Sequence, residues 1–424
     1  MAINQAQTDQ VARLFAMTPD ASLRQIERAL AEGCKAEAQL EPVYGLAQAE
    51  RTARDMARVV FDVLIPLSEP MTAPKRRLVA RADLVRAWRV AAAADPALCA
   101  KAKEARATPG DDRAPVEYDA VCRLAADQLG PKDSVLQRLL RLTPVLRRVR
   151  AKLIYWVDNL NGDQVAALRL AFKDAIAIED DGGGLFWEAV FCYLDRPWQV
   201  IRLISAVADR PSDRFMAESE LASIGERLLA EIDGRLADLK RFDAGEGEAA
   251  GAAAAHAVTA ALLILAEFEE WLTLRKDGPW GARIAGQRQA LAMCMEARLR
   301  EVEPAAAAAL PLQSKAGRTG RPPAKLVVDP QPVLVTRAEA FITLMEETRG
   351  AAPAGGFASL RAKTLEALSK RLEQYCDDLI DSLRRKELED PVRGQAYLEV
   401  ATRLIALSQG PQAAQIIRRR AAAA

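Results

Sequence analysis

Apolar residues return at every third or fourth position along most of this chain, and that spacing constrains its fold more than any other feature. On an α-helix such positions lie above one another and form one stripe, whereas a half-buried strand needs strict alternation. Leu46, Ala49, Ala53, Met56, Val60 and Leu64 make such a stripe on a helix predicted from about 42 to 64, with Pro66 and Pro70 ending it. Leu221, Ile224, Leu228, Ile232, Leu236 and Leu239 keep a near-heptad rhythm, as do Leu365, Leu368, Leu372, Tyr375, Leu379 and Leu383. That rhythm suits coiled-coil-like packing. Composition agrees: 50% of the residues are hydrophobic but only 5% are aromatic, and Ala and Leu dominate the rest. Such residues lose little rotamer freedom in a helix, while the β-branched and aromatic runs of a sheet are missing. The expected fold is all-α, a multi-helix bundle or a stack of helical hairpins with a smaller C-terminal helical module.

Turn signals punctuate these helices at short intervals: Gly130-Pro131, Thr143-Pro144, Asn161-Gly162, the acidic and glycine string 180–184, Arg196-Pro197 and Arg210-Pro211. Short connections favour antiparallel neighbours. An N-terminal domain is expected over 1–303, with a sub-boundary at the Pro, Gly and Asp loop of 105–116. Residues 304–334 read as a linker, because an alanine run, two glycines and several prolines come with basic residues and no acid until Asp329. Thr336, followed three residues later by Glu339, matches a capping box and opens the C-terminal module, 335–424.

The 59 basic and 58 acidic residues leave a net charge of +1, so nothing global draws the chain to nucleic acid or anionic membrane. Its six cysteines include no C-x-x-C pair, which argues against zinc knuckles and thioredoxin-type centres and for buried thiols in a reducing compartment. The first ten residues are polar and unlike a secretory signal, so a cytoplasmic location is expected. Residues 249–266 are uncharged over 18 positions, the lower limit for a membrane span. They are mostly alanine, however, and Glu248 and Glu267 flank them without a basic anchor. A buried central helix is the expectation.

Chemistry-bearing candidates are few. The string Asp377-Asp378-x-x-Asp381 resembles the aspartate motif with which all-α isoprenoid synthases hold magnesium against a diphosphate. Asp377 and Asp381 share a helix face, but the residues that follow are too few for the downstream half of such a fold. The bland alternative is the wet flank of an amphipathic helix. His256 is the only histidine. That excludes histidine-rich metal centres, and its alanine-rich surroundings suggest a partly buried core residue rather than a general base. Phosphate-binding loops are absent from the sequence. Two basic stretches could meet nucleic acid: 138–152, with Arg138, Arg141, Arg147, Arg148, Arg150 and Lys152, and 315–325, with Lys315, Arg318, Arg321 and Lys325. Leucines and valines interleave the first stretch, and few aromatics are available for base stacking. Phe186, Trp187, Phe191, Tyr193 and Trp198 form a dense aromatic cluster that serves as core or, in a sharper reading, as a protein-binding hot spot.

The function expected from these features is that of a non-enzymatic helical scaffold or adaptor, without cofactor or metal. It would bind protein partners, including its own copies, through candidates Trp187, Phe191, Trp198, Arg147 and Arg148. Two alternatives stand beside it: an all-α metal-dependent enzyme on a phosphorylated or lipid substrate using Asp377, Asp378 and Asp381, and a nucleic-acid-associated factor using the basic stretches. Neither nucleic acid nor a membrane span belongs to the first reading.

Overall fold

A computed structural model describes residues 5–69, 73–107, 114–219, 221–313 and 323–423. Among them there are helices and no strand; the only β-type pairings are isolated bridges, Ser212 with Thr273 and Leu312 with Ala324. The fold is all-α. The chain divides into two compact units, Met1–Arg210 with Ser219–Ile224, and Pro211–Glu218 with Gly225–Ala424.

The first unit runs through α1 (Gln5–Met17), α2 (Asp20–Cys34), α3 (Glu41–Val60), α4 (Arg81–Ala94), α5 (Pro96–Ala107), α6 (Ala114–Gln128), α7 (Ser134–Trp156), α8 (Gly162–Ile178), α9 (Gly182–Tyr193) and α10 (Val200–Ala208). Neighbours in sequence pack on one another, α2 on α3, α5 on α6, α6 on α7 and α8 on α9, as short connections require. Local chemistry sets the helix ends. Asn161 Oδ1 accepts from Gln164 N at 2.9 Å while Gln164 Oε1 accepts from Asn161 N at 3.1 Å, a complete capping box at the start of α8. Gly182 opens α9 where a side chain cannot fit, since a Cβ there would lie 2.0 Å from the Ala175 carbonyl oxygen.

Thr143-Pro144 is not the break expected of it: α7 continues through Pro144. Proline removes the N–H that would reach Leu140 O, and the buried Thr143 hydroxyl donates to that oxygen at 2.7 Å instead. The 105–116 stretch joins helices of the same compact unit, with 108–113 outside the described residues.

The second unit contains α11 (Asp213–Glu218), most of α12 (Ala222–Lys240), α13 (Glu248–Trp271), α14 (Gly281–Arg300), α15 (Val302–Ala309), α16 (Pro332–Glu347), α17 (Ala352–Gly355), α18 (Ala358–Arg384), α19 (Pro391–Gln409) and α20 (Pro411–Ala422). Its most extensive helix pair is α13 with α16. A Cβ on Gly251 would lie 2.4 Å from the Ala340 carbonyl oxygen, so the two backbones meet where only hydrogen fits. Ala254, Ala255, Val258, Leu262 and Leu265 of α13 are buried, with Ala338, Ala340 and Phe341 of α16.

Two expectations fail here. Residues 304–334 do not separate two modules: the alanine run forms most of α15, which packs on α16 with Ala305, Ala306 and Ala309 buried. Alanine forfeits no side-chain entropy in a helix and allows close approach, so the same composition that reads as a linker also suits a tight helix contact. Residues 314–322, among them Lys315, Arg318 and Arg321, lie outside the described residues. The division between units falls instead near 210–225. Nor is Thr336 a cap: α16 starts at Pro332, and Glu339 is buried beside Arg403 of α19, with Oε1 and Nε 2.5 Å apart.

Candidate functional site

The first unit holds a cavity of about 350 Å³ that the sequence reading did not anticipate. Two stripes face it at four-residue spacing, Glu50, Arg54 and Arg58 on α3, and Arg81 and Arg89 on either side of Val85 on α4. The corner between α1 and α2, residues 16–20, closes one end, and Ala57, Ile65, Leu84 and Val85 add apolar wall. Arg54 is fully engaged. Its Nε donates to Glu50 Oε1 at 2.8 Å, Nη1 to Asp20 Oδ1 at 2.6 Å and Thr18 O at 2.8 Å, and Nη2 to Phe15 O at 2.8 Å and Ala16 O at 3.1 Å. Those carbonyls belong to the last turn and exit of α1, where helical partners run out. Arg58 donates to the second oxygen of Asp20, and Arg89 to that of Glu50. Arg81 pairs with Glu69 and Arg58 also with Asp55, both acids standing outside the cavity wall. Side-chain exposure separates the four guanidiniums: 13% for Arg54, against 37%, 50% and 46% for Arg58, Arg81 and Arg89. Burial lowers the pKa of Arg54 and of Arg89 from the usual arginine value.

The second unit carries a larger groove of about 1170 Å³ along α19 and α20 and the end of α18. Leu383, Leu388, Ala396, Leu398 and Val400 supply its apolar wall; Lys386, Arg403 and Arg418 outnumber the one carboxylate, Glu399.

A scan of protein families and searches of curated proteins and of solved structures find no match for this chain.

Of the residues singled out from sequence, Trp187 and Phe191 are buried, at 1% and 0% exposure, and do not form a presented hot spot. Trp187 lies edge-on to Phe186 at 5.2 Å and tilted to Phe172 at 5.7 Å. Trp198 is half-buried on a 3₁₀ turn, Pro197–Gln199. The arginines of 138–152 are spent between helices. Arg138 meets Asp181 at 2.7 Å, Arg141 meets Glu179 at 3.1 Å, Arg148 meets Asp174 at 2.6 Å, and Arg147 joins Asp62 and Asp119. Arg147 Nη2 and Arg150 Nη1 also donate to Val60 O at 3.1 Å and Asp62 O at 2.6 Å, closing the C-terminal end of α3. Lys152 stands 5.9 Å from the Trp156 ring.

Asp377 binds Arg420 of α20 at 2.7 Å, Asp378 is half-buried and Asp381 exposed. No group of three or more metal-ligating side chains occurs among the described residues. His256 is exposed, not a core residue: it shares the open side of α13 with Ala253, Leu263 and Ala266, while most positions around it are buried. Among the described residues α13 is the one helix long and apolar enough to cross a membrane, and half of its most apolar window is buried within the protein. Burial raises Cys122 and Cys376 to about 12, which keeps both thiols protonated.

The cavity escaped the sequence reading because its arginines are distributed over two helices. Each stripe alone, Glu50-Arg54-Arg58 or Arg81-Arg89, is indistinguishable from a solvated face. The usable signal was Glu50: a carboxylate flanked by buried Ala47 and Ala53 on the core side of α3 needs cationic company.

Proposed function

We propose that this chain is a non-enzymatic cytoplasmic scaffold that binds another protein through the groove of its second unit. The groove's charge carries the reading. Even with Arg403 held by Glu339, Lys386 and Arg418 outnumber the one lining carboxylate, Glu399, beside an apolar trough, the complement of an amphipathic helix with leucines on one face and glutamates beside them. The engagement of the 138–152 arginines with carboxylates of the chain itself favours this reading over the nucleic-acid alternative. The metal-enzyme alternative has the Asp377–Arg420 ion pair against it.

The test is fluorescence anisotropy with a designed amphipathic helix bearing leucine and glutamate faces, beside its leucine and lysine counterpart. The acidic peptide is expected to bind at micromolar concentration and about tenfold more weakly to Arg418→Glu, a charge reversal at the groove. Equal binding of the lysine peptide, or indifference to Arg418→Glu, would refute the assignment.

A further inference from the structure

We infer that the arginine-walled cavity of the first unit binds a small organic anion, a carboxylate or phosphate group carried on a short apolar body. The site is independent of the groove on the second unit. Its chemistry follows from which arginines the fold has already used. Arg54 has all five of its N–H donors committed, to Glu50, Asp20 and three carbonyls at the exit of α1, whereas Arg58 and Arg89 each reach only the second oxygen of one of those carboxylates. Arg58, Arg81 and Arg89 are partly exposed around the same space. A guanidinium has five N–H donors, and the carboxylate contacts of these three occupy only one or two of them.

Four arginines and two carboxylates, Asp20 and Glu50, line the cavity. The 15-residue α2 and the 14-residue α4 both begin on its wall, at Asp20 and Arg81, and add the positive ends of two helix dipoles. Planar, forked guanidiniums match a carboxylate or phosphate in bidentate fashion. Glu69 on Arg81 is no obstacle. Both side chains are half-exposed, at 43% and 50%, and such pairs hold weakly, so an incoming anion displaces Glu69 at small cost. The apolar wall of Ala57, Ile65, Leu84 and Val85 gives a purely inorganic anion nothing to pack against, and this selects for a hydrocarbon body. A volume of about 350 Å³ limits that body to a small one.

Isothermal titration of the full chain with octanoate and octyl phosphate tests this, with octanol as the uncharged control and inorganic phosphate as the bare anion. At least one of the two amphiphilic anions is expected to bind saturably, with a dissociation constant of about 1 mM or tighter. Whichever binds more tightly identifies the head group. Octanol and inorganic phosphate are each expected to bind at least about tenfold more weakly, as is the tighter anion to the double variant Arg58→Gln, Arg81→Gln. Arg81→Lys should recover only part of the loss at Arg81→Gln, because lysine lacks the fork. Ala82→Trp provides a second variant that leaves every charge in place: Ala82 is an exposed residue on the cavity wall, and the indole should obstruct it without disturbing the core. No saturation by either anion, equal binding of octanol, or unchanged affinity in folded Arg58→Gln, Arg81→Gln and Ala82→Trp proteins would overturn the inference.

Discussion

Two helices of nearly equal length, α7 with 23 residues and α13 with 24, are anchored in opposite ways. The first unit holds α7 by its rim: leucines and valines enter the core while Arg138, Arg141, Arg147, Arg148 and Arg150 reach carboxylates or carbonyls on other segments. The second unit holds α13 by backbone proximity, through a stretch without charge whose Gly251 touches the carbonyl side of α16. Long, partly exposed ion pairs have slack, and each is worth little alone. A glycine contact has none, since packed interiors resist even one added methylene. The two modes therefore differ most in how they tolerate a single substitution.

The harshest break is Gly251→Val. With Ala340 O at 2.4 Å and Thr343 Cβ at 3.0 Å from the new Cβ position, α13 and α16 must move apart, at a cost of about 3 kcal/mol or more in urea denaturation. A loss below about 1 kcal/mol would mean that the backbones do not meet there. Second in size is Arg147→Met, which strands the half-buried Asp119 and the Val60 carbonyl and should remove about 2–3 kcal/mol. Its neighbour Arg148→Gln, from a pair with 58% and 35% side-chain exposure, serves as the control and should change stability by about 0.5 kcal/mol or less. Equal effects at the two arginines would erase the distinction between a spanning and a surface charge.

The smallest effect concerns pH. Burial raises the pKa of Glu346 above the ordinary glutamate value of 4.5, while Arg361 and Arg349 oppose the shift. A raised carboxylate value means that the folded state holds its proton more tightly than the unfolded state. Its contribution is thus most favourable below 4.5 and declines as pH rises through the raised folded value. Glu346→Gln should flatten that decline as pH rises above 4.5, measured as the difference between variant and wild-type stability curves. A steeper decline in the variant would give the shift the opposite sign.

Much of the fold was legible because burial follows helical spacing. Leu368, Leu372, Tyr375 and Leu379 are buried as their rhythm requires, and so are all six apolar positions from Leu221 to Leu239. Features with two physical readings were illegible. Thr143-Pro144 breaks a helix unless a hydroxyl replaces the lost donor, and here it does. Five alanines make a linker or a tight helix depending on whether a partner face is present, and α16 supplies one. His256 was misplaced because an uncharged helix gives no polar face from which to orient it. Neither cavity could be seen from one helix at a time: each requires charges from two or more helices to be brought together. Trp187 and Phe191 stand out in so aromatic-poor a chain because the core needs their volume, not because a partner does.

Arg54 also gives the first helices an order of disassembly. Its guanidinium fastens the carbonyls of Phe15, Ala16 and Thr18 to α3, so α1 can fray from the Gln5 end while its other end stays moored. Releasing that mooring takes one of two guanidiniums from both Glu50 and Asp20 at the same stroke. The α1–α2 corner and the middle of α3 should therefore exchange their amide protons as one cooperative block, slower than the outer turns of α1.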